Sequence, residues 1–289
     1  MNSHFDASEI AGLDAELNAA LIASQSAAAS RGLVIEVVDA TGSTNADLRA
    51  RLQQLSLPVL LAAEHQTAGR GRAGRSWQSA GAQSLCFSLA WRFNLPITKL
   101  TGLSLVIGVV LAETLAIRGW PVQLKWPNDL LKDGAKLGGI LIETACARNK
   151  GDADQKIWAI IGVGINIHKN AALSAAVGSE IAALGGGAID RNALLAALAD
   201  ALAADLPQFE REGLAPFAAR WQRLHAHADM PVMILEAGQL LHQGIARGID
   251  ESGCLLLETA DSQPGCIAIT AGDVSLRKQS FEENHAAAD

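Results

Sequence analysis

Three arginines set among three glycines, in Gly69-Arg70-Gly71-Arg72-Ala73-Gly74-Arg75-Ser76-Trp77, are the residues of this chain best equipped to hold an anion. Each guanidinium presents a planar fork of donors that matches phosphate or carboxylate oxygens, and glycine allows φ > 0 and a close approach of backbone N–H groups. A solvated turn with three surface arginines would have the same composition, so the loop by itself leaves both readings open. Two better-known phosphate motifs nearly fit. Gly69, Gly71 and Gly74 keep the G-x-G-x-x-G spacing, and Gly69 to Ser76 would be a P-loop were Arg75 a lysine. Both motifs need a helix to start where the glycines end, because its N-terminus supplies the dipole and the free N–H groups. Here Gln78 to Ser84 is polar and turn-like and leads into the strand-like run Leu85 to Phe93. Neither motif applies.

Metal and redox chemistry find less support. The seven histidines include no H-E-x-x-H, and His225 with His227 reads as a solvated helix end. Cys86, Cys146, Cys254 and Cys266 form no C-x-x-C and sit mostly in apolar, strand-like runs, the pattern of reduced, buried thiols in a cytoplasmic protein. The formal charge is −7 and the one dense basic cluster is the glycine loop, which argues against DNA as a partner. No charged n-region precedes an apolar core at the N-terminus. The most hydrophobic run, Leu103 to Ile117, is shorter than the ~20 residues that span a bilayer and contains Glu113, so it reads as a core helix and no membrane is expected.

The elements that must position the loop follow in order. A chain of 289 residues suggests about two domains. Leu13 to Ala29 is alanine-rich and reads as one helix, within an N-terminal extension covering residues 1–30. A strand from Leu33 to Val38 leads to Ser43-Thr44-Asn45, one of which could N-cap a helix from about Ala46 to Leu55. Pro58 to Ala63 is the strand that feeds the glycine loop. Thr101 to Gly119 bounds the buried helix, Val122 to Trp126 is a short strand running into Pro127-Asn128-Asp129, and Leu130 to Thr144 reads as a hairpin around Lys132-Asp133-Gly134. Arg148 to Gln155 is a further turn. Ile157 to Ile167 is a strand punctuated by Gly162 and Gly164, each marking a bulge or a close approach by a ligand. Asn170 to Gly187 reads as a mobile connection, and helical spacing returns over Asn192 to Phe209 and Pro216 to His225. Short strands at 232–235, 240–249, 254–258, 267–270 and 274–276, separated by glycine turns, read as a small β-barrel.

Ser43-Thr44-Asn45, the Gly69 to Trp77 loop, Lys125-Trp126-Pro127-Asn128-Asp129, Lys136-Leu137-Gly138-Gly139 and Gly162-Val163-Gly164-Ile165-Asn166 together resemble the biotin protein ligases, which attach biotin to carboxylase subunits. The likeness runs from about Leu33 to Lys278 and takes in Glu212 to Phe217 and Val274 to Arg277. It implies an α+β catalytic domain at 31–227, related to class II aminoacyl-tRNA synthetases, with a mixed, mainly antiparallel sheet and packed helices. An SH3-like barrel at 228–278 and a tail at 279–289 would follow. Ala73 and His65 depart from the family's commoner basic and aromatic residues.

The family reaction joins biotin's carboxylate to the α-phosphate of ATP, giving biotinyl-5′-AMP and pyrophosphate, and an acceptor lysine then displaces AMP. By resemblance, Arg72 and Lys136 offset the charge that grows at the α-phosphate, helped by Arg70 and Arg75. Ser43, Thr44 and Gln66 would meet the ureido ring, and Asn45, Gly69, Arg70, Gly71, Arg72 and Lys136 would complete the biotin-binding set. Trp77 and Gly139 would line the alkyl chain and the close-approach wall, with Asn128 and Asn166 near the phosphates. Mg²⁺ would bridge phosphates with Asp129 as its protein ligand. Lys125 is equally a surface lysine at a strand end. The loop is expected to close over the adenylate and keep water from it. The implied partner is the biotin carboxyl carrier protein of acetyl-CoA carboxylase; homodimerisation stays open. Lipoate or octanoate ligases share the fold and the type of intermediate, and a third reading is a non-enzymatic biotin-binding module. The ~30 residues before the first strand are few for the winged helix of a biotin-operon repressor.

Overall fold

The computed structural model describes residues 15–79, 81–147, 156–171, 174–175, 180–236, 238–262, 265–271 and 274–278. Its larger sheet has seven strands in the order β1-β2-β3-β7-β6-β5-β4. These are β1 (Val34–Thr41), β2 (Val59–Gln66), β3 (Ser84–Phe93), β4 (Gln123–Lys125), β5 (Asp129–Lys132), β6 (Ala135–Ala147) and β7 (Lys156–Asn166). β1 and β2 run parallel and every other neighbouring pair is antiparallel. Alternation along a strand sends successive side chains to opposite faces. On one face Leu85, Phe87 and Leu89 of β3 join Ile161, Val163 and Ile165 of β7 in the main hydrophobic core. The other face is divided. Trp158, Ile160 and Ala90 pack under Leu48, Leu52 and Leu55 in a second, smaller core, and beyond them the face opens.

Two families of helices make this division. α3 (Thr44–Ala50) with the 3-10 turn Leu52–Gln54 caps the second core. On the main-core side lie α4 (Leu103–Ile117), α5 (Arg191–Glu212) and α6 (Ala215–Leu224). α4 is apolar nearly all round because it is enclosed nearly all round, and each large aliphatic side chain so buried contributes about 1.5–3 kcal/mol. Its Gly108 lets Leu124 and Ile140 come close. The window Ile97–Ile117 is long and apolar enough to cross a membrane by composition, with a mean hydropathy of 2.1, but 67% of it is buried inside the protein, as expected of a core helix. Phe93 and Phe209 meet edge to face at 6.0 Å, and Arg220 of α6 binds Glu113 of α4 at 2.6 Å and Asp205 of α5 at 2.9 Å.

Several expectations need correction. The alanine-rich N-terminal stretch is two short helices, α1 (Ala19–Gln25) and α2 (Ala27–Ser30), broken at Ser26, because the Ser26 hydroxyl and the Ala27 and Ala28 N–H groups all donate to Asp200 of α5. Leu13 and Asp14 lie outside the described residues, as does Arg148 to Gln155. The helix expected at 46–55 starts at Thr44 and ends at Ala50. Ser43 takes the N-cap position, yet its side chain makes no cap hydrogen bond. Within the connection expected to be mobile, Ile181, Ala182, Ala183 and Leu184 are buried, and the Ala182 and Leu184 N–H groups donate to Lys136 and Asn166 carbonyls. His225 and His227 are buried rather than solvated, with His225 stacked on Trp221 at 4.4 Å. Of the cysteines Cys86 alone is buried; Cys146 and Cys266 are exposed.

The C-terminal unit is a five-stranded antiparallel sheet in the order β11-β10-β9-β8-β12. Its strands are β8 (Pro231–Glu236), β9 (Gln239–Ile249), β10 (Leu255–Glu258), β11 (Ile267–Ile269) and β12 (Val274–Lys278). The buried Trp126 indole donates to the Gly253 carbonyl, which ties this unit to the stretch carrying Asn128 and Asp129.

Candidate functional site

The open part of the second sheet face is the floor of a cavity of about 870 Å³. Its walls include Ser43, Thr44, Asn45, Gln66, Arg70, Gly71, Arg72, Arg75, Trp77, Asn128, Asp129, Lys136, Gly139 and Asn166. Every site residue named from the sequence is therefore at one place except Gly69, which packs beneath it: a Cβ there would lie 2.5 Å from the Trp77 carbonyl oxygen. Lys125 also lines the cavity, as do Glu180, Ile181, His227 and Leu276.

Register explains why the floor is hollow. Ser88 of β3, Gly162 of β7 and Leu141 of β6 stand in one row across the sheet, and Cys86, Gly164 and Gly139 in the next. Bulges or a close ligand are what the sequence leads one to expect at Gly162 and Gly164. The pairing of β7 carries no bulge, and both glycines line the cavity, where they make room for the protein's own side chains. A Cβ on Gly162 would fall 2.4 Å from Asn45 Oδ1, and one on Gly164 would fall 2.3 Å from the Trp77 indole. Trp77 thus packs against the strand at Gly164, its Nε1–H pointing to Cys86 Sγ at 3.2 Å. Burial pushes the Cys86 thiol up to about 11, so it serves as packing and not as a nucleophile.

One end of the cavity is polar and deeply buried. Thr44, Asn45 and Ser88 are at most 3% exposed. The Thr44 N–H donates to Gln66 Oε1 at 2.9 Å, Thr44 and Ser88 hydroxyls meet at 2.6 Å, and Ser88 donates to Asn45 Oδ1 at 2.5 Å. Asn45 Nδ2 then donates to Glu143 at 2.9 Å, so Asn45 spends its amide on protein partners. Ser88 and Glu143 were not singled out from the sequence; strand alternation puts both on the site face, the one signal that would have found them.

The other end is cationic. In the glycine loop the Trp77 N–H donates to the Gly69 carbonyl at 2.8 Å, the Gly71 N–H to the Arg75 carbonyl at 2.7 Å, and Ala73 and Gly74 turn the tip at φ 52 and 70°. This knot sends its arginines three ways. Arg70 pairs with Glu143 at 2.8 Å; Arg72 donates to Asn128 Oδ1 at 3.1 Å and to the Ala271 carbonyl at 2.5 Å; Arg75 is exposed at the cavity rim. Asn128 is held in turn by its Nδ2 bond to the Ile140 carbonyl at 2.8 Å. Lys136 reaches Asp129 at 2.6 Å across the β5–β6 turn. Asn166, buried, donates to the Ala182 carbonyl at 3.0 Å. The arrangement can hold a ligand with a polar, hydrogen-bonding head in the floor and one or more anionic groups under the loop. Among the described residues no cluster of three or more His, Cys, Asp or Glu side chains could hold a metal.

Comparison with known proteins gives the same two units. Residues 34–166 match the Biotin/lipoate A/B protein ligase family, and residues 231–277 match the Biotin protein ligase C terminal domain. The bifunctional ligase/repressor BirA of Escherichia coli (strain K12) is 41% identical over 248 residues, which cover 84% of this chain and 73% of that one. The biotin--[acetyl-CoA-carboxylase] ligase of Mycobacterium tuberculosis is 34% identical over 83% of this chain and 88% of its own. Among solved structures, the biotin protein ligase from Aquifex aeolicus in complex with biotin and ATP superposes with a TM-score of 0.65, at 27% identity, over 86% of this chain and all of that one.

Proposed function

The chain belongs to the biotin protein ligase family, and we propose that it activates biotin with MgATP to biotinyl-5′-AMP and passes the biotinyl group to a lysine of the biotin carboxyl carrier protein of acetyl-CoA carboxylase. The observation that carries this reading is the polarity of the cavity: an uncharged hydrogen-bonding floor at the buried Thr44 and Ser88 and the half-buried Gln66, and a cationic rim of Arg70, Arg72, Arg75 and Lys136. A ureido ring suits the first and a carboxylate meeting an α-phosphate suits the second. Two anions brought together repel, and preorganised guanidinium and ammonium groups offset that repulsion most as charge grows on the phosphate. Lys136 begins on Asp129, and an arriving phosphate competes for it. Asp129 would then be the carboxylate that could hold Mg²⁺, an ion that needs only one or two protein oxygens and would supply positive charge to the phosphates. Trp77 and Gly139 line the path between the two ends, and Asn128 and Asn166 fix the backbone beside the phosphates.

In this reading Arg70 and Arg72 exchange Glu143, Asn128 and the Ala271 carbonyl for ligand oxygens, and the loop shuts water away from the mixed anhydride until the acceptor amine arrives. The reaction domain is residues 31–227, the sheet of 228–278 flanks it through Ala271 and Leu276, and the setting is the cytoplasm. Incubation with biotin, MgATP and a carboxyl carrier domain should yield one biotinyl adduct per carrier by mass and one pyrophosphate per adduct. Equal or better use of lipoate in the same assay would transfer the proposal to the lipoate ligases, and binding without pyrophosphate release would leave only a biotin-binding module. Cleavage within the loop near Arg72 by a protease should slow when biotin and ATP are both present.

A further inference from the structure

Glu143 lies on the site face of β6, behind the cavity wall, and its carboxylate oxygens accept from Arg49 at 3.0 Å, Arg70 at 2.8 Å and Asn45 Nδ2 at 2.9 Å. We infer that Glu143 is a positioning residue which, through Asn45 and Ser88, fixes Thr44 Oγ1 as a hydrogen-bond acceptor and so selects ligands whose ring presents an N–H. The inference rests on the biotin reading of this cavity and names the device that reads the ring.

The direction of each bond follows from donor counts. A carboxylate bound by two guanidiniums can only accept, so the Asn45 amide must turn its Nδ2 toward it, and the second Nδ2 hydrogen finds the Leu141 carbonyl at 3.4 Å. Asn45 Oδ1 is thereby committed to Ser88, whose single hydroxyl hydrogen is spent on it at 2.5 Å. At the 2.6 Å contact between Ser88 and Thr44 the donor is then Thr44. Gln66 Oε1 already accepts the Thr44 N–H at 2.9 Å; the Thr44 hydroxyl is also placed to donate to that oxygen at 3.2 Å, but its one hydrogen goes to the shorter 2.6 Å contact with Ser88, which has no other donor. What Thr44 offers the cavity it lines is a lone pair. Ser88 is 0% exposed and Asn45 and Thr44 3%, so no bulk water is at hand to reverse the chain of donors.

The test measures preference between biotin and its two cyclic-carbamate analogues, in each of which one ring N–H is replaced by oxygen, by calorimetry on the full chain. Glu143→Met, Ser88→Ala and the double variant are compared with the parent. The parent should favour biotin over at least one analogue by about tenfold or more, and each single variant should cut that preference by about fivefold. Because Glu143 acts on the preference only through Ser88, the double variant should lose no more of the preference than Ser88→Ala alone. A simple anchor for the arginines predicts weaker binding of biotin and analogues alike, with the preference intact, and that result overturns the inference, as does an additive double variant. Should Glu143→Met not fold, an unchanged preference in Ser88→Ala is sufficient to overturn it. A parent that binds no biotin overturns the ligase reading as well; a parent that binds it while the variants keep the parent's preference overturns this inference alone.

Discussion

Gly164→Ala should move Trp77 and little else. The added Cβ would lie 2.3 Å from indole Cε2 and 2.5 Å from Cζ2, about 1.2 Å inside the ~3.5 Å at which carbon atoms rest against one another. The strand cannot yield, since Gly164 is paired with Cys86 on one side and Gly139 on the other in the middle of a seven-stranded sheet. The indole can yield, because its loop is held by the Trp77 N–H bond to the Gly69 carbonyl and by the weak Nε1–H contact to Cys86. Overpacking of this kind costs about 1–3 kcal/mol, and taken from ligand binding this is about a 5- to 150-fold rise in the biotin KM. Thermal unfolding should shift by a few degrees at most, since the loop moves and the core does not. Adenylation kinetics and calorimetry on the parent, Gly164→Ala, Trp77→Ala and the double variant provide the test. Once the indole is gone the alanine has nothing to strike, so the double variant should match Trp77→Ala. A Gly164→Ala protein with the parent's KM, or a double variant worse than both singles, would refute the assignment of Gly164 as the space that seats Trp77.

Three further outcomes follow from buried groups. Burial first, then His227, pushes His225 down to about 4 from its ordinary 6.5, with Asp229 opposing; the unfolded chain therefore binds the extra proton between pH 6.5 and 4, and stability should fall by about 3 kcal/mol as pH drops through that window. Among the described residues its two ring nitrogens have no hydrogen-bond partner, so His225→Phe should flatten this slope in urea titrations at pH 7, 5.5 and 4.5. Arg191, 1% exposed, binds Glu64 at 2.7 Å and the Ala15 carbonyl at 3.1 Å; Arg191→Ala should destabilise the fold by about 3 kcal/mol by stranding Glu64, and a chemical-denaturation midpoint equal to the parent's would contradict that. Iodoacetamide at pH 8 should label Cys146 and Cys266 rapidly and Cys86 only on unfolding, as peptide mass spectrometry would show.

The glycine–arginine loop and the motifs around it were legible because their chemistry is written in residue type. Strands were legible by alternation, and α4 by its unbroken apolar run. What the sequence hid is what depends on register. Ser88 sits in the hydrophobic run Leu85 to Trp91 and resembles filler until pairing with Gly162 puts it beside Asn45. Glu143, an ordinary exposed-looking carboxylate of a β-hairpin, becomes the partner of Arg49 and Arg70, which lie 94 and 73 residues away along the chain. The same holds for His225: the end of an amphipathic helix looked solvated because nothing local announced that β4 and the C-terminal sheet would enclose it. Side chains that touch a ligand tend to cluster in short motifs, since a loop or a strand end delivers several at once. Side chains that orient those contacts come from the sheet's interior and can be separated by any number of residues. A sequence therefore reveals the contacts of a site sooner than the groups that aim them, and in this protein the aiming falls to Ser88, Glu143 and the two glycines of β7.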